Sequence, residues 1–221
     1  MIRKLILTLA LSLGILLLLA SQVIAGSATE VSLSPPSQTV SLGQTFDVDV
    51  YVVLDTDSRG VQFDLTFDHN ILTCNSVIEG DLFSLGGTQP TFWKEPIIDN
   101  RGNGQIIGAA CIIVSPSIPV SGSGVFATIS FTAKELGTSE LELSNVIVGD
   151  TNGNPVEVII TSGSVTVGLE GDVNNDGKVN VLDMVLVGLH WGETGLLPED
   201  LNKDGVVNIL DSIIIGANWT G

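Results

Sequence analysis

This chain of 221 residues has little of what thiolate, imidazole or nucleophilic chemistry requires. It holds two cysteines and two histidines. Cys74, Cys111, His69 and His190 are scattered, and no CxxC pair occurs, which argues against a zinc site. GxSxG, HExxH and phosphate-cradling glycine loops are also missing, so no enzyme class is indicated. Cationic side chains are scarce too: 8 Lys and Arg stand against 25 Asp and Glu, for a formal net charge of −17 at pH 7. Such a surface repels a phosphate backbone and argues against nucleic acid as a partner. Aromatics are only 5%, which leaves few candidates for a sugar-stacking platform. Yet hydrophobic residues reach 44% and charged ones only 15%, so this is no acidic disordered tail. The acids must therefore sit in particular places.

One long apolar run exists, at the start. Arg3 and Lys4 precede Leu5 to Ala20, and Val23-Ile24-Ala25 forms a small-residue cleavage pattern. Residues 1–25 are predicted to be a secretory signal peptide, which implies an extracellular protein. If retained, the same run is nearly long enough to anchor the chain in a membrane. Its removal takes two positive charges and no acids, moving the net charge from −17 to −19. Export permits a disulfide, but Cys74 and Cys111 lie in apolar strand-like runs, where two buried thiols fit as well as a bridge.

Over 29–168 the apolar residues recur with the period of two that marks strands. Phe46, Val48, Val50 and Val52 alternate with Asp47, Asp49 and Tyr51. Val61, Phe63, Leu65 and Phe67 alternate with Gln62, Asp64, Thr66 and Asp68. Val125, Ala127, Ile129 and Phe131 alternate with Phe126, Thr128, Ser130 and Thr132, and Val156, Val158 and Ile160 follow. Clusters such as 55–60, 99–104 and 149–155, rich in Asp, Asn and Gly, read as turns. Many short strands without a helix argue for an antiparallel β-sandwich. The acidic pairs Asp47/Asp49 and Asp55/Asp57 read as outward strand and turn residues rather than glycosidase carboxylates.

From about Glu170 the pattern becomes helical and duplicated. DVNNDGKVNVLDMVLVGLHW, beginning at Asp172, aligns with DLNKDGVVNILDSIIIGANW at Asp200, 28 residues on, with ten of twenty positions identical. Asp172, Asn174, Asp176, Asn180 and Asp183 fall at positions 1, 3, 5, 9 and 12 of a loop (172–183), the spacing of an EF-hand. Asp200, Asn202, Asp204, Asn208 and Asp211 repeat the set in 200–211. Gly177 and Gly205 occupy position 6, where the chain turns sharply, and Lys178 and Val206 at position 7 need supply only a backbone carbonyl. Hard oxygen donors without sulfur or imidazole select Ca²⁺, one ion per loop. Each loop leads into one helix, Val181 to about Trp191 and Ile209 to about Trp219. No helix precedes the first loop, where the residues are Thr-Val-Gly-Leu-Glu-Gly. The unit 170–221 carries nine acids and two lysines, and two Ca²⁺ would bring it from −7 to −3.

This loop–helix duplication resembles the dockerin module of cellulosome-type assemblies, on both loops and the Val-Asn-x-Leu-Asp stretch of each. Residues 29–168 resemble a cohesin on Gly60 to Asp68 followed by Leu72, on Val125 to Lys134 followed by Gly137, and on Gly163 to Val167. The resemblance implies a jelly-roll sandwich followed by a small all-α calcium unit, with cohesin- and dockerin-bearing proteins as partners, copies of the chain itself included. It implies partner contacts at positions 10 and 11 of each loop, here Val181, Leu182, Ile209 and Leu210, where many cellulosomal dockerins have a Ser/Thr pair. Leu182 and Leu210 are expected inside, with Val181 and Ile209 partly exposed. On the sandwich, Gln62 and Asp64 correspond to the partner-binding sheet. The expected function is a secreted, non-catalytic scaffold. A polysaccharide-binding or adhesion sandwich tethered by its dockerin is the alternative, for which Phe92-Trp93 is the one aromatic candidate.

Overall fold

The computed structural model describes residues 28–114, 118–195 and 197–221; the predicted leader 1–25 lies outside them. The strands are β1 (Thr29–Ser34), β2 (Ser37–Ser41), β3 (Thr45–Thr66), β4 (Leu72–Glu79), β5 (Thr91–Lys94), β6 (Ile97–Asp99), β7 (Gln105–Ile113), β8 (Val120–Ala133), β9 (Gly137–Asp150), β10 (Val158–Thr161) and β11 (Gly163–Gly168). Two helices close the chain, α1 (Val181–Leu189) and α2 (Ile209–Ala217).

β3 runs for 22 residues and serves both layers. Its first half pairs with β1 and β8, its second half with β7 and β9. One layer therefore runs β10-β1-β3-β8-β4, and the other has β5 and β6 beside β7, then β3-β9-β11-β2. The expected antiparallel sandwich is present, with two parallel pairs: β1 with β10 and β11 with β2.

Alternation places Val48, Val50, Val52, Phe63 and Leu65 in the core between the layers, as a strand with one apolar face requires. Phe131 packs against Phe46 and Phe67, with ring centroids 5.9 and 5.2 Å away. Phe126, expected to face outward, is buried instead. The β3–β8 register slips there: Val50 pairs with Ala127 and Tyr51 with Val125, so Phe126 is the extra residue of a bulge. Phe126 and Ala127 both turn inward, and Phe126 meets Phe63, Phe83 and Trp93 at 5.9, 6.2 and 5.8 Å. Ile160, also expected inside, lies exposed on the short edge strand β10.

Cys74 and Cys111 are buried free thiols on β4 and β7, in opposite layers. Burial pushes both thiols up to about 12. For Cys111 the Glu79 carboxylate, which accepts from the thiol at 3.2 Å, adds to the rise.

The C-terminal unit has a separate small core of Val173, Val179, Val187, Val207 and Ile215. Its helices are nine residues long and end at the caps His190 and Asn218, one residue short of Trp191 and Trp219. Among the described residues no helix is long and apolar enough to cross a membrane.

Candidate calcium loops and docking faces

The two duplicated loops fold alike, and their hydrogen bonds show why the spacing matters. In the first, Asp172 accepts from the N–H of Gly177 at 2.8 Å and of Asp176 at 3.1 Å. Asn174 Oδ1 also accepts from Asp176 N–H at 2.9 Å, and Asp176 Oδ1 from Lys178 N–H at 3.0 Å. The second loop repeats these bonds through Asp200, Asn202 and Asp204 onto Gly205, Asp204 and Val206, at 2.8 to 3.2 Å. Asn175 and Lys203 take φ of 57°, while Gly177 and Gly205 take 84° and 91°. A glycine tolerates that left-handed turn at little cost. The Asp204 carboxyl is held below its usual range, chiefly by the Asn202 amide and then by the Val206 N–H.

The last acid of each loop is its most enclosed donor. Asp183 and Asp211 are fully buried. Asp183 accepts from Val173 N–H (2.8 Å), Asn174 N–H (3.2 Å) and Asn180 N–H (2.8 Å). Asp211 accepts from Asn202 and Asn208 N–H at 3.1 and 2.8 Å. Each is the third residue of its helix and completes a capping box: Asn180 and Asn208 cap the helices by accepting from Leu182 and Leu210 N–H, both at 2.8 Å. Among the described residues no three His, Cys, Asp or Glu side chains cluster as a metal site by themselves. The loops' donor sets are mixed: Asp, Asn and a backbone carbonyl.

That set fits calcium on two grounds. All donors are hard oxygens. Asp183 and Asp211 are buried acids, and the hydrogen bonds they accept come from backbone N–H groups. Backbone N–H groups partly stabilise such a carboxylate, and a divalent ion would complete its neutralisation. Asp172, Asp176 and Asp183, with the Lys178 carbonyl and Asn174, would hold the ion in the first loop. Asp200, Asp204, Asp211, the Val206 carbonyl and Asn202 would do so in the second. Asn180 and Asn208, being engaged as caps, are suited to act through water, as position 9 often does.

The helices present apolar faces to solvent. Val181 and Ile209 are 58% exposed, as expected in direction. Leu182 and Leu210, expected inside, are 55% and 48% exposed. The reason is the capping box: it turns Asp183 and Asp211 inward, so the core takes Val187 and Ile215 one turn on. Leu182 and Leu210, immediately before those carboxylates and about 100° round the helix, point away. Val185 and Ile213 extend the same outward stripe and were not singled out from the sequence. The signal for them is that both helices are apolar nearly all round, which leaves one face unpartnered.

On the sandwich, Gln62 and Asp64 lie on β3 beside β7 and β9. Gln62 is half-buried and donates to Asn145 O at 3.4 Å. Asp64 accepts from Gly108 N–H and from Asn145 Nδ2, both at 2.6 Å. These contacts bridge two register irregularities, Phe63/Leu65 against β7 and Gln62/Asp64 against β9. Asp64 thus fastens three strands together. Next to it, exposed Ile112 and Ile147 flank Gly60 and Gly149 in a groove of about 370 Å³.

The cohesin-domain family model matches residues 31–167, and the type I dockerin-domain model matches 170–216. No curated protein matches the chain in a sequence search. Among solved structures, a non-cellulosomal cohesin from the hyperthermophilic archaeon Archaeoglobus fulgidus aligns at 19% identity and a TM-score of 0.50, over 67% of this chain and 96% of that one. The sixth cohesin of scaffoldin B from Acetivibrio cellulolyticus, solved with a Cel5 dockerin variant, gives 19% and 0.50 over 64% and 99%. A type I cohesin–dockerin complex from Clostridium thermocellum gives 15% and 0.51 over 64% and 99%. These likenesses show the sandwich fold. Both matched domains are non-catalytic interaction modules, and type I dockerins are calcium binders. The chain belongs to the cohesin family and joins a cohesin domain to a C-terminal type I dockerin domain.

Proposed function

We propose that this is a secreted, non-catalytic adaptor that assembles extracellular complexes by calcium-dependent cohesin–dockerin pairing, with one Ca²⁺ in each loop. The observation that carries this reading is the outward apolar stripe of Val181, Leu182 and Val185, repeated as Ile209, Leu210 and Ile213. Water-exposed aliphatic side chains in a contiguous set favour burial against a partner. Gln62, Ile112 and Ile147 offer a matching mixed face on the sandwich. Partners are cohesin- and dockerin-bearing proteins, and two such faces on one chain permit head-to-tail association between copies, a heterologous contact that can propagate. Sedimentation of the full chain over a range of concentrations tests this. Assemblies growing in calcium and dissolving in chelator are expected; a monomer throughout would leave only bridging between different partners. In that case, capture of neither a cohesin nor a dockerin in calcium sinks the adaptor itself.

One observation favours a second reading. Phe92 on β5 is 59% exposed, beside half-buried Trp93. A polysaccharide-binding sandwich tethered by its dockerin would use it, and retardation in a polysaccharide-containing native gel, lost in Phe92→Ala, separates this from the adaptor.

A further inference from the structure

The two calcium loops are each closed by the tail of a helix, in a crossed arrangement. After α1 the chain runs onto the second loop. Gly192 N–H donates to Val207 O at 2.8 Å, Val207 N–H to Glu193 O at 3.0 Å, and Thr194 bridges to Val206. After α2 the chain returns to the first loop, 41 positions back: Thr220 N–H donates to Val179 O at 2.9 Å, and Val179 N–H to Thr220 Oγ1 at 2.8 Å. Val179 and Val207 occupy equivalent places, immediately after the position-7 carbonyl of each loop, and both are fully buried. By the repeat, Thr220 corresponds to Gly192, so the duplicated chain uses one closure twice. The second copy differs in one respect: a side-chain hydroxyl does what the Glu193 carbonyl does in the first.

We propose that Thr220 is a positioning residue for the first calcium loop, holding Val179 and thereby the Lys178 carbonyl beside it, so that the far end of the dockerin sets the affinity of loop 172–183. This rests on the reading of the loops as calcium sites. The physical link is short. Lys178 and Val179 share a peptide unit, whose planarity couples the direction of the Lys178 carbonyl to that of the Val179 N–H. That N–H is the group Thr220 Oγ1 receives. Without the hydroxyl, the peptide loses its partner and the carbonyl loses its fixed aim. The second loop, closed by Gly192 and Glu193, is independent of Thr220.

Calcium titration of the full chain by NMR, following the Gly177 and Gly205 amides, reads the two loops separately. In Thr220→Ala, calcium affinity at the Gly177 loop is expected to fall roughly threefold, the scale of one net hydrogen bond. In Thr220→Pro, which also removes the N–H, it should fall roughly tenfold or more. Affinity at the Gly205 loop should stay within about twofold, and Thr220→Ser should retain the parental behaviour. Should the proline variant fail to fold, the alanine and serine variants carry the comparison. Equal weakening at both loops, or none at either, overturns the positioning role while leaving the calcium reading intact. Failure of the parent chain to bind calcium at either loop overturns both.

Discussion

The sandwich and the dockerin are held together by different means. The sandwich encloses phenylalanines packed ring on ring, with Phe131 between Phe46 and Phe67 and Phe126 among Phe63, Phe83 and Trp93. Burial of that much apolar surface holds a fold without further help. Among the described residues the dockerin's buried apolar side chains are four valines and one isoleucine, and three carboxylates, Asp183, Asp211 and Glu199, are buried with them. A unit of this size with so small a core is marginal on its own. Its acids make the difference: they impose a cost until a cation joins them, after which metal binding contributes directly to folding. One domain is therefore expected to ignore calcium and the other to depend on it.

Phe131→Ala breaks the comparison from the sandwich side and has the largest expected effect. Deleting a ring buried among others costs about 3–5 kcal/mol. The sandwich transition in calorimetry should drop accordingly, while calcium-dependent helicity persists. Asp183→Ala breaks it from the other side. Three backbone N–H groups lose a charged acceptor, at a cost of about 3 kcal/mol, and the helical signal should weaken even in calcium. The sandwich transition should not move; if it does, the two cores are not separate. Leu182→Ser sharpens the assignment of the helix faces. At an exposed position it should change stability by less than about 0.5 kcal/mol, yet weaken capture of a cohesin. A stability loss of the size seen for core leucines would return Leu182 to the interior.

These contrasts were legible in the sequence to different depths. The loops were readable because their chemistry is local: five donors and a glycine within twelve positions, written twice. Most of β3 was readable because one buried face enforces a period of two, but 55–60, read as a turn from its Asp, Ser and Gly, continues as strand across a register shift between Leu54 and Ser58. Phe126 was not, since a bulge belongs to a pair of strands and leaves no mark on either strand's own pattern. The parallel edge pairs were hidden for the same reason. Leu182 and Leu210 were misplaced because periodicity cannot choose the inner face of a helix that is apolar nearly all round. The capping carboxylates chose it. The structural task of Asp64, joining β3 to Gly108 and Asn145, likewise appears only once three strands lie side by side.

The dependence of the dockerin on calcium, beside a sandwich that does without it, is tested most directly by far-ultraviolet circular dichroism of the full chain during chelation and calcium return. Excess chelator is expected to abolish the helical contribution of 170–221 and calcium to restore it, while the strand signal stays constant. Helicity unchanged in excess chelator would contradict that dependence.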